Sequence, residues 1–310
     1  MNKDKMLGVI YGQAIGDALG LGTEFLNKNE IKRLYPKGIS SYEQIIQDYH
    51  RMRWKKGDWT DDTDQMLCIA NAIINDKSIK PLTVAKELYN WRYGRSMGIG
   101  EHTLKVLSYP GYKENPEIAS KIIWEQSGKQ SAANGAVMRT SILGLFSNNI
   151  EMNAEKICKL THYDPRCVGS CVIVTKLINK LINNLEISSD DIFEIAGNYD
   201  NRIIEYILFA KEKQIDYLNL DDDNSMGYTL KTLGAGLWTY FNSTSFEDGL
   251  LKVVNEGGDA DTNGAVAGSI LGGKYGYSNI PEKYILGLVR GEYLGKIAET
   301  IISLIFEMQI

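Results

Sequence analysis

Two stretches far apart in the chain concentrate side-chain oxygens: Thr60, Asp61 and Asp62 within Trp59-Thr-Asp-Asp-Thr-Asp-Gln65, and Asp259, Asp261 and Thr262 within Glu256-Gly-Gly-Asp-Ala-Asp-Thr-Asn-Gly264. Each leads into an apolar run with helical spacing, so each triplet falls at a helix N-terminus. Hard divalent cations such as Mg²⁺ and Mn²⁺ prefer carboxylate, hydroxyl and water oxygens, and a cluster without cysteine or histidine selects them over zinc. Two cations ~3.5–4 Å apart can bridge such clusters and activate a water. The plainer reading is capping, since Asp and Thr before an apolar run are common N-caps worth ~1 kcal/mol each. Capping uses one residue per helix, however. It leaves Asp61, Asp62 and Asp64, or Asp259 and Asp261, as crowded like charges that a cation or solvent must relieve.

The elements that must position these oxygens are helices. Apolar residues recur at three- and four-residue spacing, as in Met66, Leu67, Ala70, Ile73 and Ile74, while period-two alternation is almost absent. The pattern predicts helices near 4–21, 62–76, 81–94, 115–127, 135–147, 151–162, 165–184, 188–197, 199–213, 226–241, 245–256, 261–274 and 290–308. With six prolines and no low-complexity linker, the expectation is one all-α domain over 1–310. Glycine weakens a helix by ~1 kcal/mol, so the glycines of Asn263-Gly-Ala-Val-Ala-Gly-Ser-Ile-Leu-Gly-Gly273 need a compensating contact. Gly16-Asp-Ala-Leu-Gly20 has the same small-residue character, and the two helices are expected to pack together beneath the site. Asp17, inside a helix, reads as a structural hydrogen-bonder to nearby loops.

Composition excludes several classes. The chain has 310 residues, 44% hydrophobic and 24% charged, with a formal net charge of −5, and offers no cationic field for nucleic acid or anionic membrane. Lys3 and Lys5 before Met6–Ile15 loosely mimic a signal peptide, but Asp17 interrupts the run and helical periodicity continues, so a core helix is expected. No stretch approaches the ~20 apolar residues of a membrane span, and the default compartment is the cytoplasm. Cys68, Cys158, Cys167 and Cys171 lie in apolar helical patterns and read as reduced core residues.

Five segments in order carry a resemblance: Gly16-Asp-Ala-Leu-Gly20 with Glu24, Trp59-Thr-Asp-Asp-Thr63, Asn134-Gly-Ala-Val-Met-Arg139, Thr161-His162, and Gly257-Gly-Asp-Ala-Asp-Thr262. Together they resemble the ADP-ribosylglycohydrolase family, which includes the dinitrogenase reductase-activating glycohydrolases. The resemblance implies an all-α fold with a binuclear Mg²⁺ or Mn²⁺ centre that cleaves ADP-ribose from a protein side chain. It assigns Thr60, Asp61, Asp62, Asp259, Asp261 and Thr262 as metal ligands, and Glu24 as an acid beside the metals and the reacting ribose. Ser131, Ala133, Asn134 and Gly135 fall in the segment that cradles the diphosphate, and His162 matches a ribose contact.

Cleavage at the anomeric carbon passes through an oxocarbenium-like state, and Asp62 or Glu24 can take the proton of the attacking water. A loop opening the 135–147 helix would offer the diphosphate N–H donors and a favourable dipole. Arg139 reads as a buried structural pair and not as a phosphate ligand. Where some relatives carry a stacking aromatic residue this chain has Ala132, and where some carry a catalytic aspartate it has Met97 and Ile99 nearby. Linkage specificity therefore stays open. Free ADP-ribosyl compounds, modified nucleobases and a catalytically silent ADP-ribose-binding protein are the alternatives to an ADP-ribosylated protein substrate.

Overall fold

Glycines spaced four apart set the centre of the molecule. Gly8, Gly12, Gly16 and Gly20 line one face of helix α1 (Lys3–Gly20), and each lies against the backbone of an antiparallel helix at Gly272, Gly268, Gly264 and Ala260. A Cβ at Gly16 or Gly268 would overlap the facing carbonyl group. The expected packing of the two small-residue helices is thus what the computed structural model contains, at backbone-to-backbone distance. That model describes residues 1–94 and 96–307.

Around this pair the chain runs through α2 (Lys28–Leu34), α3 (Asp61–Asp76), α4 (Pro81–Gly94), α5 (Glu101–Leu107), α6 (Pro116–Gln126), α7 (Ile150–Lys159) and α8 (Pro165–Ile182). It continues through α9 (Ser189–Tyr199), α10 (Arg202–Lys211), α11 (Thr229–Asn242), α12 (Phe246–Val254), α13 (Ala260–Tyr275), α14 (Glu282–Leu286) and α15 (Gly291–Glu307). α13 is the glycine-rich partner of α1. Both are buried nearly all round, as Met6, Val9, Ile10, Val266, Ile270 and Leu271 attest, which is why neither has a polar face. No helix among the described residues is long and apolar enough to cross a membrane. The four cysteines are free and buried.

The all-α expectation holds, with no strand among the described residues. One expected helix is wrong. The 135–147 segment forms two short 3₁₀ turns, Val137–Arg139 and Ser141–Leu145, and not an α-helix. Its start is held extended from a distance: Asn134 N bonds Gly227 O at 3.0 Å, Thr229 N bonds Ala132 O at 2.9 Å, and Ala133 faces Tyr228 across an isolated bridge. Those bonds also delay α11, expected from 226, until Thr229. Short helices α2, α5 and α14 went unpredicted, although Asn27 and Glu30 form a capping box that announces α2. Position 308 of the last expected helix lies outside the described residues.

Candidate active site and acidic cluster

Asp17 reaches from α1 to the start of α3 and does the work of its cap. Its Oδ1 accepts from Thr60 N and Thr60 Oγ1, each at 2.9 Å. Its Oδ2 accepts from Thr63 N at 2.9 Å and Thr63 Oγ1 at 2.6 Å. Thr60 itself makes no side-chain cap bond, and neither does Asp259, the N-cap residue of α13. Capping therefore does not account for the acids at either helix start, and Asp17 takes the structural role expected of it.

With their own caps unused, these side chains converge. Carboxylate oxygens of Asp17, Asp62 and Asp261 lie within 4.8 Å of one another, and so do those of Glu24, Asp259 and Asp261. Asp261 is common to both trios. Thr60 Oγ1 sits 3.1 Å from Asp62 Oδ2 and 3.3 Å from Asp261 Oδ2, while Asp62 Oδ1 is buried without any hydrogen-bond partner. Among the described residues no Lys, Arg or His pairs with Asp17, Asp61, Asp62, Asp259 or Asp261. Asp58 and Asp64 differ, because Arg290 from just before α15 binds both at 2.6 and 2.7 Å and stacks on Trp59 at 4.0 Å. Asp64 thus leaves the list of crowded acids.

Burial raises the carboxyl pKa of Asp17 to about 7 against the pull of its four hydrogen bonds. Asp61 is pushed up to about 7 by burial and then by Asp17, Glu24 and Asp259. Burial and neighbouring acids also drive Asp62 and Asp261 well above the usual carboxylate range. The orphaned Asp62 oxygen and the all-oxygen donor set fit a hard divalent cation, which would offset this repulsion.

One cavity of about 260 Å³ is lined by Glu24, Thr60, Asp61, Asp62, Ala133, Asn134, Gly135, His162, Asp259, Asp261 and Thr262. Ser131 does not line it, and instead lies 2.8 Å from His102 Nδ1, which does. Asn134 Nδ2 donates to Asp259 Oδ2 at 2.8 Å and to Thr232 Oγ1 at 3.0 Å, so its amide is tied to the acids. Because no α-helix begins at Gly135, the dipole expected there for a diphosphate is missing, and only loop N–H groups remain.

Sequence reasoning missed His50, Arg53, Trp54 and His102, which also line the cavity. His50 Nε2 is 2.6 Å from Glu24 Oε2, and burial raises the Glu24 pKa against that contact. A signal was present: the chain has three histidines, and all three line this cavity.

The family model for ADP-ribosylglycohydrolase matches residues 1–309. An uncharacterised protein of Archaeoglobus fulgidus is 31% identical, over 97% of each chain. The chain is also similar to an ADP-ribosylarginine hydrolase of Serratia proteamaculans, 27% identical over 96% of this chain and 78% of that one. An ADP-ribosyl-[dinitrogen reductase] glycohydrolase of Rhodospirillum rubrum is 25% identical over 91% and 89%. A solved structure described as an ADP-ribosylglycohydrolase-related protein complex superposes with a TM-score of 0.74 over 98% of each chain, at 24% identity, and so shares the fold. With a family match along nearly its whole length and a cavity to which each of the five resembling segments contributes at least one residue, the chain belongs to the ADP-ribosylglycohydrolase family of enzymes.

Proposed function

We propose that this enzyme is a metal-dependent hydrolase that removes ADP-ribose from protein side chains, with arginine as the first linkage to test. The observation that carries the reading is the cluster of close-packed carboxylates, of which Asp17, Asp62 and Asp261 are buried and pair with no Lys, Arg or His among the described residues, opening into the same cavity as His162 and the 133–135 loop. Arginine comes first because the Serratia relative is named for that linkage. Thr60, Asp61, Asp62, Asp259, Asp261 and Thr262 would hold two Mg²⁺ or Mn²⁺ ions. Bound there, such ions supply electrophilic anchorage for ribose hydroxyls and lower the pKa of a water.

The chain's own groups do the rest. Water adds to the anomeric carbon as the bond to the side-chain nitrogen breaks, and the proton that the water gives up is returned to the departing nitrogen. Glu24 or Asp62, both on the cavity wall, accepts that proton from the water and passes it on. Asn134 holds Asp259 in place, and with the Asn134 N–H taken by Gly227 O, the Gly135 N–H would be the loop donor to phosphate oxygens.

The test is release of ADP-ribose from arginine-linked, serine-linked and nucleobase-linked substrates, with chelator and after Mg²⁺ or Mn²⁺ is restored. Arginine-linked release that chelator abolishes is expected. Turnover indifferent to chelator would sink the metal reading. Release confined to another linkage would reassign the substrate, and binding of ADP-ribose with no release from any substrate would leave a silent binding protein.

A further inference from the structure

The cavity holds a nitrogen with no partner in the protein. His162 lines the cavity; its Nε2 is buried, makes no hydrogen bond, and lies against Gly135, where an added Cβ would come 3.2 Å from it. Whether that nitrogen offers a proton or a lone pair is decided across the ring. Nδ1 lies 2.7 Å from Thr161 Oγ1, and the same oxygen accepts from Arg139 Nη2 at 2.6 Å. A guanidinium only donates. Thr161 Oγ1 therefore gives a lone pair to Arg139, and its hydrogen has no acceptor but His162 Nδ1 among the described residues. A proton on Nδ1 would leave that hydroxyl hydrogen buried and unmatched, which is costly. The ring proton accordingly sits on Nε2. Burial, then His102 and Arg139, also hold the His162 pKa well below its ordinary value, keeping the ring neutral.

Arg139 reaches the other way as well. Its Nη1 donates to Gln65 Oε1 at 2.7 Å, which orients the amide so that Gln65 Nε2 donates to Asp61 Oδ2 at 3.1 Å. A continuous chain thus runs from Asp61 through Gln65, Arg139 and Thr161 to His162. Arg139 is wholly buried and pairs with no carboxylate among the described residues, so the ion pair expected from the sequence is absent. A buried guanidinium without a counter-charge is costly, and its fork spans both neighbours where a single point donor would not.

We propose that Arg139 is a positioning residue for both halves of the pocket: through Thr161 it fixes His162 as a neutral Nε2–H donor to an oxygen of the bound ADP-ribosyl group, and through Gln65 it orients Asp61. The donor role rests on the function proposed above, whereas the tautomer and the hydrogen-bonded chain do not. In this state His162 has no free lone pair toward the cavity, so it orients substrate and leaves proton abstraction to Glu24 or Asp62.

Long-range ¹H–¹⁵N correlation on the ligand-free enzyme reads the protonation of each imidazole nitrogen, with His50→Gln and His102→Gln assigning the signals. Wild type and Thr161→Ser should show His162 protonated at Nε2 alone. Thr161→Val should give a tautomer mixture and weaken ADP-ribose binding roughly ten-fold in calorimetric titration, with Thr161→Ser restoring both. Arg139→Lys, checked for its fold by circular dichroism, should loosen the tautomer and weaken binding too. Protonation at Nδ1, a doubly protonated ring, or Val and Lys variants with wild-type spectra and affinity would overturn the proposal. Spectra as expected, with no ADP-ribosyl substrate hydrolysed, would sink the activity reading and leave the chain of hydrogen bonds standing.

Discussion

Asp62 carries the conflict at this site in one side chain, because one of its oxygens is buried without a partner while Asp17 and Asp61 press on it. Neutralising it should therefore have opposite effects on stability and activity. Asp62→Asn is expected to raise the melting temperature of chelator-treated enzyme, to lack the further rise expected of wild type with Mg²⁺, and to lower turnover more than about 100-fold. Calorimetry with and without cation, beside the release assay, reads all three. A variant less stable than wild type in chelator would count against the repulsion. At this scale much was legible: runs of Asp and Thr beyond what a cap can use are visible as spelling, and the hydrogen bonds of Asp17 to Thr60 and Thr63 match the structural role read for it. The His50–Glu24 contact and the Gln65–Arg139–Thr161 chain were not, because each joins residues of ordinary type that only the fold brings together.

Helix packing turns on where a glycine sits, and two chemically identical substitutions should differ in sign. Gly16→Ala places a methyl against the carbonyl of Gly264, both of them backbone in helices buried nearly all round, so neither can give way cheaply. A loss of about 2 kcal/mol or more is expected from urea unfolding. Gly197→Ala in α9 meets nothing within 4 Å on an exposed face and should gain up to ~1 kcal/mol from helix propensity. Equal effects would mean that the α1–α13 contact is looser than backbone approach requires. That pairing was readable in advance, because glycines that weaken two helices call for a compensating close contact. The 135–147 segment was misread for the converse reason. Val137, Met138, Arg139, Ile142, Leu143 and Leu145 are all buried, so no polar face marks a period, and the bonds that hold its start extended come from residues 227–229.

The fold as a whole brings two helix N-termini and the loop after α1 to one point, gathering like charge that neither segment carries alone, and this makes stability depend on pH and cation together. In the metal-free enzyme Asp17 and Asp61 have folded pKa values of about 7, above the ordinary unfolded value of about 3.9. Between those two values the folded chain binds more protons than the unfolded one. Their contribution is fully present below the unfolded value and is lost as pH rises through about 7. Without cation, the melting temperature should therefore fall between about pH 5.5 and about pH 8. A divalent cation competes with those protons and relieves the same repulsion once they have left, so it should stabilise the protein little at the lower pH and strongly at the higher one. Thermal melts across this range, with chelator or with Mg²⁺ or Mn²⁺ in excess, separate the two effects. A cation shift of equal size at both ends would mean that the ion binds away from these carboxylates. A metal-free melting temperature that rises with pH would mean that the acids find a counter-charge in solution, and the case for a cation at the meeting point of α3 and α13 would lose its electrostatic basis.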